Sequence, residues 1–223
     1  MSKNHNWKLF TLIATGAAAL AIAIGIGRFS YTPILPYMLE ELNLSKTNGG
    51  LIASWNFFGY LFGSLITILP IFKNRVKLFF LTAVIISLLT TLLMAFNNEI
   101  IIFILNRFLA GVSSAFVLIF GTALILPSIQ AFGKKSLSTS HFMGVGFGIV
   151  FSSILISILG SLGFIWNELW IGVSILSLIL AIPIFIYTPN EIILSAPNKI
   201  SKSTSTFGFS LITVSYGLYG FGY

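Results

Sequence analysis

The chain has 223 residues, 57% hydrophobic and 8% charged, against about 25% charged in a typical soluble domain. A mean hydropathy of +1.01 places it in the membrane class. The net charge of +7 does not point to nucleic acid, because the basic residues stand in short clusters between apolar runs, and the lack of cysteine excludes disulfides and thiolate chemistry.

At the N-terminus, Lys3 and Lys8 precede "LFTLIATGAAALAIAIGIG", which alone would also fit a secretory signal with small residues near a cleavage site. The apolar run continues past Arg28 to Leu39, however, and further runs follow at once. Six complete segments lie near the ~20 residues a helix needs to cross a bilayer, at 9–39, 47–69, 76–96, 100–127, 138–163 and 169–187. A seventh begins near residue 207 and is still running at Tyr223. The connections are short and polar, and the runs lack strand alternation, so the segments read as helices of an all-α integral membrane protein.

Lysine and arginine set the direction. If alternate connections share a side with the N-terminus, that side holds Lys3, Lys8, Lys73, Arg75, Lys77, Lys134, Lys135, Lys199 and Lys202, and the other holds Lys46 alone. The positive-inside rule then predicts a multi-pass protein of the cell (inner or plasma) membrane with a cytoplasmic N-terminus. Glu40, Glu41, Glu99 and Glu168 fall on the outer side. Only Arg28 and Arg107 stand within spans, and no acid does. Intramembrane charges are costly and by default functional.

Gly25, Phe29 and Tyr31 in the first span recur as Gly217, Phe221 and Tyr223, all at an offset of 192 (217 − 25, 221 − 29, 223 − 31). A six-helix period is what parallel transporter halves produce. The expected organisation is a six-helix bundle over 1–187, a cytoplasmic linker over 188–206, and the incomplete first helix of a second half over 207–223. The missing C-terminal half is the expected partner, together with the lipid bilayer and a small-molecule substrate.

"GIGRFSYTPILPYM", "NRFLAGVSSAF", the glycine-rich "HFMGVGFGIVFSS" and "SYGLYGFGY" together resemble the major facilitator superfamily, most closely its YbfB/YjiJ-like branch of transporters. The resemblance covers essentially the whole chain. It implies an N-terminal bundle of 3+3 inverted repeats, in which spans one and four line a central cavity, and transport by alternating access. One departure lies in the loop after span two. Gly63 and the basic Lys73, Arg75 and Lys77 are present, but the Asp that often accompanies them in the superfamily is not.

Helix rise places Arg28 roughly 16 Å, and Arg107 roughly 12 Å, below the outer ends of their spans. Two guanidiniums at one level beside a watery cavity would suit a carboxylate or phosphate, so an organic anion is the expected substrate. Arg107 has a structural alternative, bonding to backbone carbonyls at the broken end of span one or in span five. Tyr31 shares the Arg28 face if a spacing of three holds. Asn56, beside Trp55 in span two, would bind substrate or bond a neighbouring helix. Gly144, Gly146 and Gly148 would let helices approach closely or form a rocking joint, and Pro33 and Pro36 would hinge or end the outer part of span one. No cofactor or metal set is implied.

A second function class is an intramembrane serine protease of the rhomboid type, built on Ser113 and His141. The motif lacks its second glycine. Helix rise also separates the two residues by roughly 15 Å in height, where a nucleophile and its base need about 3 Å. His141 is expected instead at the membrane interface near Lys134 and Lys135. A non-transporting membrane subunit is a third class. The orientation has a direct test in this cysteine-free chain. Asn43→Cys should be labelled from outside intact cells and Ser136→Cys should not; the opposite pattern would invert the topology.

Overall fold

A computed structural model describes residues 3–72, 74–137, 139–189 and 215, with the side chains of residues 3–5 and 135 outside that description. The linker and seventh span expected over 188–223 therefore lie outside it except for residues 188, 189 and 215, as do Lys73, Ser138, Lys199 and Lys202. The chain divides into compact units at 1–193 and 194–223, and the fold described is that of the first.

All six expected segments are helices long and apolar enough to span. Span one comprises α1 (Lys3–Leu20), a π-helical stretch (Ala21–Ile26), a turn, and α2 (Tyr31–Glu41). Then come α3 (Lys46–Ile66), α4 (Val76–Leu93), α5 (Ile100–Gln130), α6 (Met143–Ser161) and α7 (Trp166–Tyr187) as spans two to six. Many large apolar side chains remain exposed, among them Phe62, Leu89, Phe151 and Ile182, which suits lipid as solvent.

The ends differ from the expected ones for local reasons. Helix α5 runs one turn past Pro127, and the Ala131 N–H bonds to Pro127 O at 3.0 Å to close that turn. Helix α7 starts at Trp166 rather than Leu169 because its first turn is capped by two carboxylates. Glu168 Oε2 accepts from the Ile165 N–H at 2.9 Å, and Glu41 Oε1 accepts from the Trp166 N–H at 3.1 Å. Both satisfy donors that a helix start leaves open and place negative charge at the positive end of the dipole.

Small residues set the packing, and they do so twice. On α3, Gly59 and Gly63 face α5, where a Cβ on Gly59 would land on the Phe108 carbonyl and one on Gly111 would land on the Asn56 carbonyl. On α6, Gly144 and Gly148 face span one, where a Cβ on Gly144 would land on the Ala17 carbonyl and one on Gly25 would reach the Gly148 Cα at 2.7 Å. The two arrangements are offset by 85 residues between spans two and five (144 − 59, 148 − 63) and by 86 between spans one and four (111 − 25). Span two packs on four as span five packs on one, which is the exchange that 3+3 inverted repeats require.

Gly146 departs from the expected packing role. A Cβ there would meet nothing within 4 Å, because a residue two positions on points away from the face that Gly144 and Gly148 share. Gly144→Ala should therefore destabilise by about 2–3 kcal/mol through overpacking against backbone. Gly146→Ala should be neutral or stabilising by up to about 1 kcal/mol through helix propensity. Detergent melting curves check the pair, and equal losses would contradict this packing.

Candidate functional site

The site grows from the break in span one. Through residues 22–29 the backbone widens to π spacing. The Gly27 N–H bonds to Ile22 O at 2.8 Å and the Phe29 N–H to Ile24 O at 3.3 Å. Pro33 has no N–H to give, and the Thr32 N–H turns to Phe29 O at 3.2 Å instead of Arg28 O. The carbonyls of Gly27 and Arg28 are thereby left without backbone donors, at a depth where lipid offers none.

Arg107 supplies them. From α5, its Nη1 donates to Gly27 O at 2.7 Å and its Nη2 to Arg28 O at 3.1 Å. The planar fork matches two adjacent carbonyls in a way a point-charge ammonium could not. Arg107 is 3% exposed, with its Cζ 4.8 Å from the centroid of the Tyr31 ring. Tyr31 is also buried, and its hydroxyl donates to Gly49 O on α3 at 2.9 Å. Asn56 Nδ2 closes the unit by donating to Arg107 O at 3.0 Å, a reach allowed by the Gly59–Gly111 approach. Tyr31, Asn56 and Arg107 thus form one hydrogen-bonded knot joining spans one, two and four.

Arg28 stands differently. Its carbonyl belongs to the knot, but its half-buried side chain turns to α3. There its Cζ lies 4.3 Å from the Phe57 ring centroid, 5.0 Å from that of Tyr60 and 5.8 Å from that of Phe29. Its Nε is buried and unpartnered. Ser30 Oγ, Asn56 Oδ1 and Arg107 Nε are likewise buried without partners. Among the described residues the acids stand at helix ends, and none is paired with either arginine.

The four expected binding residues, Arg28, Tyr31, Asn56 and Arg107, are therefore brought together, three in the knot and one beside it. Pro33 and Pro36 both fall in α2, Pro33 in its first turn beside the break and Pro36 in its interior. Trp55 points elsewhere, edge-on to Phe58 at 5.5 Å and to Phe108 at 6.1 Å. The sequence reading missed Phe57 and Tyr60, whose spacing of three on one helix was the available signal.

The Ser113–His141 pair does not form. Ser113 Oγ lies 2.9 Å from Ser87 Oγ and donates to Ala110 O at 3.0 Å. His141, expected at the interface, is 1% exposed. The lack of a side chain on Gly16 makes room for it, since a Cβ there would sit 2.9 Å from the His141 Cβ.

A family model described as "Uncharacterised MFS-type transporter YbfB" matches residues 20–223. The chain belongs to this family of MFS-type transporters. A search of curated proteins found no match. The matched region contains the break, the knot and both arginines, so the site lies within a multi-pass membrane transporter of the YbfB type.

Removing the fork should unfasten the knot. Arg107→Leu deletes two charge-assisted bonds of about 1.5–3 kcal/mol each and strands two carbonyls. A large fall in the detergent melting temperature is expected, with Arg107→Lys intermediate. A wild-type melting curve for Arg107→Leu would refute the brace.

Proposed function

We propose that this YbfB-type protein moves a small organic anion across the cell membrane by alternating access, with Arg28 holding the anionic group. The observation that supports this is the guanidinium of Arg28, which is half-buried, has no carboxylate partner among the described residues and lies beside the break in span one. Aromatic contacts offset a buried cation by about 0.5–2 kcal/mol each, while an uncompensated buried charge costs several. A bound anion or cavity water makes up the difference. Arg107, engaged on two carbonyls, braces the backbone from which Arg28 projects. Transport proper requires a second bundle for this one to rock against, with the site between them. The N-terminus lies in the cytoplasm, in keeping with the basic asymmetry of the loops.

Among the described residues the acids stand only at helix ends, so this bundle places no carboxylate deep in a span to carry a proton. The test is a melting-curve and uptake comparison of the whole transporter with a panel of small organic anions. At least one anion should stabilise the wild type. Arg28→Lys, which keeps charge but loses the fork, should weaken that affinity about tenfold, and Arg28→Gln should abolish it with the fold intact. If Arg28→Gln instead melts far lower while the affinity of any surviving transport is unchanged, Arg28 is a structural brace and the anion reading fails.

A further inference from the structure

The rings around Arg28 bear on what kind of anion fits. Phe57 and Tyr60 stand one turn apart on α3, and Phe29 follows Arg28 directly, so the guanidinium is flanked by three aromatic rings. Two of them keep open surface. Phe57 is 57% and Phe29 39% exposed. Beside the charge there is thus mainly apolar wall, with the Tyr60 hydroxyl as the polar group that these three rings carry. The other guanidinium keeps its charge, but its fork is committed to two backbone carbonyls.

We infer that the ligand is a monocarboxylate with a flat apolar body, an arylcarboxylate being the simplest example. This rests on the anion reading above. The carboxylate takes the fork of Arg28, with the Tyr60 hydroxyl as the neighbouring polar group, and the body lies against Phe57 and Phe29. Fork matching argues for one carboxylate, since the fork of Arg107 is committed to carbonyls and that of Arg28 is not. Ring electrostatics argue the same way. The face of an aromatic ring is negative and attracts the guanidinium, but it repels the second charge of a dicarboxylate or a phosphate. An apolar body gains by covering ring surface that is otherwise exposed.

The probes are benzoate, acetate, succinate and inorganic phosphate, titrated against the whole transporter in detergent with melting temperature as readout. Benzoate should stabilise most and acetate weakly, with succinate and phosphate having no effect. Phe57→Ala should weaken benzoate about tenfold and leave acetate unchanged, while Phe57→Leu should recover part of the loss. Phe57 is exposed enough for both variants to fold. Stabilisation by succinate or phosphate as strong as by benzoate, and lost in Arg28→Gln, would overturn this inference while leaving the anion reading standing. So would a benzoate affinity indifferent to Phe57→Ala. A benzoate effect that survives Arg28→Gln, or no effect of any anion, would remove both.

Discussion

A backbone carbonyl in lipid has nowhere to turn but to the protein itself, and the architecture around the break in span one follows from that constraint. A proline and a widened turn release two carbonyls at mid-membrane depth. Only a group with two parallel donors, long enough to cross from the neighbouring span, can answer both. That group is Arg107, and its engagement explains why a formal charge is tolerated at 3% exposure. The remaining members follow in turn. Tyr31 lays its ring under the guanidinium and anchors on α3, and Asn56 reaches the carbonyl of Arg107 itself. The cation stabilises the break, and the break positions the cation.

The glycine contacts make this possible at a distance. A hydrogen bond from Asn56 to the backbone of α5 needs the two helix axes to lie close, and Gly59 and Gly111 remove the side chains that would hold them apart. The same device recurs on the other side of the pseudo-symmetric bundle, with Gly144 and Gly148 against span one. The repeat therefore supplies a shared packing solution, and the copy between spans two and four also carries the bond from Asn56 to Arg107 O.

Much of this was legible in the sequence. Apolar runs and loop charges gave six spans, because bilayer thickness fixes helix length. Arg28 and Arg107 stood out because charge is rare in such runs. What stayed open was their division of labour, with backbone carbonyls at the broken end of span one as one of two readings of Arg107. The partners of Arg107 are main-chain atoms, freed by a proline six residues beyond Gly27, and no side-chain pattern announces them. Gly146 was grouped with Gly144 and Gly148 because composition is blind to helical phase. His141 is buried against span one because the glycine that admits it belongs to that other span, which no local pattern shows. The cage of Phe57 and Tyr60 was lost among 22 phenylalanines and 7 tyrosines. The helix ends moved by a turn where caps come from remote residues, as Glu41 does for α7.

That last contact, from Glu41 to the start of α7, has a mechanical consequence. Trp170 Nε1 also lies 3.5 Å from Met38 Sδ, so the outer piece of span one is stitched to span six at two levels. The N-terminal piece meets span five through Gly144, Gly148 and Gly25, and it too rests on span six, where Ala19 and Ile22 share a cluster with Ala181 and Ile184. Span six therefore backs both sides of the break, and a span whose own backbone ladder is interrupted at residues 27–30 keeps its line by leaning on an unbroken neighbour.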